Sequence, residues 1–184
     1  MAKNPLKSKS VTEQTLPPEA TGIAEPLTVA GAIAPARINL NLLSGNRDGV
    51  LRELVALVIP SHERPWADKL FKALKAREDL CSTCVGEGVA IPHSRNAIVG
   101  LVNKPVVAYA RHPKGIDFGA LDGQPVRHFF LLCAPNVREH LHLLARLARL
   151  VHNPEFRLHL NTVERPEEVC AIIREAERRL TGPS

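Results

Sequence analysis

His93 and the pair Cys81 and Cys84 are the side chains whose types and spacing first suggest chemistry. His93 directly follows Val89-Ala90-Ile91-Pro92, an apolar run that reads as the end of a buried strand, with Gly86 and Gly88 before it for a tight turn. Pro92 fixes one backbone dihedral and donates nothing to a sheet ladder, so it ends the strand and holds the next residue at the rim. An imidazole placed there is accessible and oriented, and with an unperturbed pKa of about 6.5 it offers a neutral, nucleophilic nitrogen near pH 7. The same residues are also compatible with an ordinary surface histidine. Cys81-Ser82-Thr83-Cys84 has the C-x-x-C spacing of thiol redox pairs and metal sites. Zinc requires about two further ligands, and His140 and His142, separated by one residue, do not provide a spaced histidine pair. Redox pairs of this spacing open a helix after a strand, whereas here glycines and a strand follow.

The elements that must position His93 are legible from periodicity. Ile38, Leu40 and Leu42 alternate with asparagines as a first strand. Val50, Leu51, Leu54, Val55 and Val58 recur at helical spacing until Pro60. A second helix begins after Ser61, carries Pro65 in its first turn, buries Trp66, Leu70, Phe71 and Leu74, and ends near Arg77. Val106 to Ala110 and Val126 to Leu132 read as strands, the latter apolar enough for burial on both faces. His112-Pro113-Lys114-Gly115 and Asp122-Gly123 between them are turn chemistry. Asn136 with Glu139 forms a capping-box pattern, opening a helix predicted to bury Leu141, Leu144, Leu147, Ala148 and Val151. Pro154 and Pro166 begin two more helices, the last with Val169, Ile172, Ile173, Ala176 and Leu180 as its apolar stripe. Strands interleaved with helices predict an α/β fold, a mixed β-sheet with helices on both faces.

Residues 1–36 hold five of the fifteen prolines and little periodicity, so they read as a flexible leader, and residues 37–184 as one domain. Within the leader, Ala30 to Ala36 is apolar but broken by Gly31 and Pro35, and is expected to pack only loosely. The net charge of +5 is spread over several elements and interrupted by acids, as in Arg174-Glu175-Ala176-Glu177-Arg178-Arg179, the pattern of a solvated helix face. With one Trp, one Tyr and five Phe, and no basic run interleaved with aromatics, the chain does not read as a nucleic-acid module. A positive field suits phosphorylated or acidic partners instead. No secretory signal and no run approaching the roughly 18 apolar residues of a membrane span are present. The expectation is a cytoplasmic protein with reduced thiols and no stable membrane insertion.

The stretch from Arg77-Glu78-Asp79-Leu80 through Cys81-Ser82-Thr83-Cys84-Val85-Gly86-Glu87-Gly88 to Val89-Ala90-Ile91-Pro92-His93 resembles the signature of type-2 enzyme IIA domains of the bacterial phosphoenolpyruvate-dependent phosphotransferase system. Gly115-Ile116-Asp117-Phe118, Asp122-Gly123-Gln124-Pro125-Val126, Phe129 to Leu132, and His140 to Leu150 with Arg157 and Leu160 extend it, in the right order, over roughly residues 38 to 180. Within the family the sequence is most similar to the nitrogen-regulatory branch. The resemblance implies the three-layer fold reached above and a phosphoryl group carried on His93. It further implies an active-site arginine at Arg77, sixteen residues before His93, and a second active-site histidine at His140, forty-seven after it. Thr83 matches the threonine of the glycine loop and is expected to reach a phosphoryl oxygen. No cofactor or metal is implied. The implied partners are an HPr-type carrier upstream and, downstream, a regulated transporter or sensor kinase. A sugar-specific component feeding a separate IIB/IIC permease, and a binding module that no longer takes phosphate, are the competing roles. Cys84 and Ser94 stand where the family usually has glycine, and the Cys84 side chain is expected to narrow or bend the loop, slowing phosphotransfer or altering the partner.

Overall fold

The computed structural model describes residues 27–98 and 100–181. Its centre is built by two strands, β4 (Val106–Ile116) and β5 (Val126–Cys133), paired antiparallel from Val106 opposite Cys133 to Ile116 opposite Val126. From His128 onward every β5 residue is buried, as expected of a strand covered on both faces. β1 (Ile33–Asn39) runs parallel to β4 at one edge, while β3 (Val89–Ala90) runs parallel to β5 on the other side and pairs with the outer strand β2 (Cys84–Gly86). The order is therefore β1-β4-β5-β3-β2 in a mixed five-stranded sheet.

Alternation along the strands sorts side chains into two cores. Tyr109, Phe130 and Leu132 face a layer containing α1 (Val29–Ala32), α4 (Val137–His152), α5 (Pro154–Thr162) and α6 (Pro166–Thr181). Ala108, Phe129 and Leu131 face α2 (Arg47–Ala56) and α3 (Arg64–Leu80). This is the predicted mixed sheet with helices on both faces.

Four local expectations are corrected. The expected leader ends too late. Residues 29–36 form α1 and the start of β1, with Val29 and Ile33 buried, whereas residues 1–26 lie outside the described residues. The amides of Val29 and Ala30 donate to the Glu177 carboxylate, itself buried and paired with Arg146 at 2.7 Å, which fastens this segment to α6. Pro35 is tolerated because β1 is an edge strand. His112-Pro113-Lys114-Gly115 is not a turn but part of β4, absorbed by an irregularity in register between Arg111 and Ile116. α3 continues one turn past Arg77 to Leu80, which leaves Arg77 in the last turn. In α4 the buried face is His140, Leu143, Leu147, Leu150 and Val151, while Leu141 and Ala148 are exposed and Leu144 is half-buried. The expected stripe is out of phase because His140, polar by type, occupies a core-facing position.

Candidate functional site

β3 is two residues long, but its line continues along β5: the Pro92 carbonyl accepts the Leu132 amide at 3.0 Å, and His93 forms an isolated parallel bridge with Leu132. His93 thus stands at the carboxyl rim of the parallel pair β3 and β5, the rim at which open α/β sheets place their ligands. β5 ends at Cys133, and Asn136 caps α4 by accepting the Glu139 amide at 3.0 Å. That short connection brings His140, in the first turn of α4, to the same rim. The imidazole rings of His93 and His140 lie 5.4 Å apart between centroids, tilted by 58°.

The tautomer of His93 follows from one contact. Its Nδ1 lies 2.7 Å from the Ile91 carbonyl oxygen. A carbonyl only accepts, so Nδ1 carries the proton and the lone pair is on Nε2. Burial pushes the His93 imidazole below its ordinary pKa, the nearby Arg77 charge adds to this, and the bond to Ile91 opposes it. Burial likewise lowers His140, with a smaller contribution from His93. Both effects favour neutral rings.

Arg77 is half-buried in the last turn of α3, where Nη1 donates to the Cys81 carbonyl at 2.5 Å. A guanidinium has five N–H donors, so further ones are available for an anion's oxygens. Arg77, Lys69, Ser94, Arg95 and Asn96 line a cavity of about 620 Å³, with Ile98 on its wall and neither His93 nor His140 among its lining residues.

Thr83, expected to reach a phosphoryl oxygen, has its polar groups turned to Glu78 in this structure. It is buried, and its amide and hydroxyl both donate to the carboxylate of Glu78. Glu78 is a buried charged residue at the site that the sequence reading does not single out. The available signal is its register: Leu70, Leu74 and Glu78 recur every four residues on the buried face of α3.

The two departures from glycine fit without backbone strain. Neither Cys84 nor Ser94 has a positive φ; among the described non-glycine residues only Glu87 does, at 54°. Ser94 is buried and its hydroxyl donates to the Asn96 carbonyl at 2.7 Å. The Cys84 thiol lies 3.7 Å from the Phe118 carbonyl, and Cys81 and Cys84 are both free thiols. Among the described residues no group of three or more His, Cys, Asp or Glu side chains could hold a metal ion, and no helix is long and apolar enough to cross a membrane.

Fold and site together define an α/β domain that presents a pair of imidazoles and an arginine at the carboxyl rim of its sheet. The chain belongs to the family described as phosphoenolpyruvate-dependent sugar phosphotransferase system, EIIA 2, whose model matches residues 32–176. It is 33% identical over 143 residues to a nitrogen regulatory protein of Pseudomonas aeruginosa, covering 77% of this chain and 91% of that protein. It is 32% identical over 143 residues to a fructose-specific EIIABC component of Bacillus subtilis, covering 77% of this chain but only 22% of that protein. The crystal structure of the nitrogen regulatory protein IIA-Ntr from Neisseria meningitidis superposes with a TM-score of 0.69 at 34% identity, over 79% of this chain and 98% of that one. Mannitol IIA from Escherichia coli, 21% identical, shares the fold with a TM-score of 0.64, over 76% of this chain and 97% of that one.

Proposed function

We propose that the protein is a cytoplasmic histidine phosphocarrier in which Nε2 of His93 takes a phosphoryl group from an HPr-type protein, and that it acts as a nitrogen-regulatory-type signalling component. The observation that carries this reading is the Nδ1 bond of His93 to Ile91, because it leaves Nε2 unprotonated and nucleophilic at the rim. In-line attack forms the Nε2–P bond as the donor's P–N bond breaks, and the electron pair leaves with the donor imidazole. No proton has to move, since the Nδ1 proton stays with the Ile91 carbonyl. Catalysis is then positioning and charge stabilisation. Arg77 binds equatorial oxygens with its remaining N–H groups, and His140, ring to ring with His93, donates a further hydrogen bond at the start of α4, where the helix dipole favours an anion. Thr83 supports the loop from its bond to Glu78, with its hydroxyl available to an oxygen only if that bond is exchanged.

Downstream, the charge gained on phosphorylation would alter binding to a regulated transporter or a sensor kinase. The sugar-specific alternative, transfer to a IIB component, is favoured by the similarity to fructose-specific proteins and by a structural neighbour solved as a complex of mannitol IIA with phosphorylated IIB from Escherichia coli. Incubation with phosphoenolpyruvate, enzyme I and an HPr-type carrier, followed by intact-mass measurement in mild alkali, tests the reading. One phosphoryl group, lost in acid, is expected; no gain with cognate upstream proteins would favour a phosphate-independent binding module. Adding a IIB domain then separates the two roles by whether the group moves on.

A further inference from the structure

Glu78 is a buried carboxylate, 3% exposed, on the face of α3 that otherwise carries Leu70 and Leu74. Burying such a group is costly unless its lone pairs are taken by donors. Both oxygens are engaged by one residue. Oε2 accepts the Thr83 amide at 3.0 Å, and Oε1 accepts the Thr83 hydroxyl. Thr83 passes the connection on, because its carbonyl accepts the Ile91 amide at 3.1 Å. Ile91 in turn offers its own carbonyl to Nδ1 of His93 at 2.7 Å. Three hydrogen-bonded steps thus run from the carboxylate to the nucleophile, through residues that are buried at Thr83 and Ile91.

Residue type matters at each step. Thr83 donates to Glu78 from both its amide and its hydroxyl, and a carboxylate accepts both; a glutamine accepts through one oxygen only, so it keeps both contacts only by reversing the bond to the hydroxyl. The peptide that follows Ile91 leads into Pro92, whose φ is fixed, so the Ile91 carbonyl has little freedom once the Ile91 amide is held. Burial pushes the Glu78 carboxyl above its ordinary pKa, and the two hydrogen bonds from Thr83, with a smaller contribution from the Arg77 charge, oppose that shift and favour the ionised form.

We propose that Glu78 is a positioning residue for phosphoryl transfer: its carboxylate clamps Thr83, and through Thr83 and Ile91 holds His93 in the tautomer that leaves Nε2 free. This rests on the reading of His93 as phosphoryl acceptor. Glu78 itself exchanges no proton and touches no reacting atom; the Nε2–P bond forms and the donor's P–N bond breaks while the Nδ1 proton remains on His93.

The test uses the full chain, its Glu78→Gln and Thr83→Val variants, and the double variant. The ¹⁵N spectrum of the His93 imidazole, recorded without any phosphodonor, reports the tautomer. Transfer from the phosphorylated HPr-type carrier reports the rate. Glu78→Gln is expected to replace the single Nδ1–H tautomer by a mixture and to slow transfer by about tenfold or more, with KM for the carrier within about twofold. Thr83→Val, which keeps the amide bond, is expected to do the same to a smaller degree. The double variant is expected to be no slower than Glu78→Gln, since the two residues act as one unit. A folded Glu78→Gln protein with an unchanged tautomer and rate would overturn the proposal. Should that variant fail to fold, an unchanged tautomer and rate in Thr83→Val would overturn it equally. If wild type takes no phosphate at all, the functional reading fails, while the imidazole spectrum still decides whether Glu78 sets the tautomer.

Discussion

Nδ1 of His93 lies 2.7 Å from the carbonyl oxygen of Ile91, two residues earlier in the chain, and this contact makes Nε2 the reactive nitrogen. Its pH consequence is specific. Burial and the Arg77 charge hold the imidazole below its ordinary pKa, so the neutral nucleophile persists below the point at which a free histidine becomes half protonated. The rate of phosphoryl acceptance, measured with a carrier kept phosphorylated at each pH, is expected to fall with acid, its midpoint below the roughly 6.5 of a free histidine. Arg77→Gln removes one cause of the depression. Its inflection should move up in pH while its maximal rate falls by about a hundred- to a thousandfold, the range for losing one stabilising donor at a reacting group.

His140 is tested by separating acceptance from onward transfer. His140→Ala removes a ring 5.4 Å from that of His93 but leaves the Ile91 contact in place. Acceptance should continue at a reduced rate. The loss of a hydrogen bond to a charged group, about 1.5–3 kcal/mol, corresponds to roughly ten- to a hundredfold in phosphate stability or onward transfer. Single-turnover chase of the phosphorylated variant onto a IIB domain or back to the carrier measures this directly, and an unchanged chase would remove His140 from the account.

A second buried histidine gives a stability prediction independent of function. His128 is 3% exposed; Nδ1 is bonded to the Tyr109 hydroxyl at 2.8 Å and Nε2 to Asn161 Oδ1 at 3.1 Å. Burial lowers its pKa to about 4, with Arg127, Arg111 and Arg157 nearby adding to the effect. Below about 6.5 the unfolded chain binds a proton at this site that the folded chain refuses, so the stabilisation is complete above that pH and is lost as pH falls toward about 4. The full difference is about 3 kcal/mol. Urea unfolding at neutral pH and near pH 4.5 should show wild type losing stability with acid, and His128→Leu losing less. At neutral pH, His128→Leu should be less stable by about 1–3 kcal/mol, because the buried Tyr109 hydroxyl loses its partner.

The phase of α4 is tested by two leucines. Leu143 is fully buried and Leu141 is 59% exposed. Leu143→Ala should cost about 2–5 kcal/mol by leaving a cavity, and Leu141→Ala should stay within about 0.5 kcal/mol of wild type. Equal effects in urea unfolding would contradict the packing described for this helix.

That helix also shows where sequence alone stops. The apolar repeat in residues 137–152 fits two phases, and reading His140 as polar selects the wrong one; only packing against β5 shows an imidazole facing inward. Glu78 escapes notice for the same reason, since its place in the Leu70, Leu74 register argues for burial while its charge argues against it. Pro113 and Gly115 carry turn chemistry, and the register irregularity that accommodates them inside β4 is a property of the pairing with β5, invisible in the strand itself. Pro35 misleads likewise, because whether proline is tolerated depends on β1 being at an edge. By contrast, Val126 to Leu132 as a buried strand, Pro65 in the first turn of α3, the Asn136 cap and His93 at a strand end depend on local physics, and each is where the sequence places it. The encounter of His93 with His140 across forty-seven residues is reached in the sequence only through family resemblance, since no periodicity reports it.

The central claim, that Nε2 of His93 carries the phosphoryl group, is most directly tested by ³¹P–¹⁵N correlation on the phosphorylated, histidine-labelled protein. The account predicts one phosphorus coupled to Nε2 of His93, with Nδ1 still protonated and no signal in His93→Ala. Phosphorus on Nδ1, on His140, or retained in His93→Ala would contradict it.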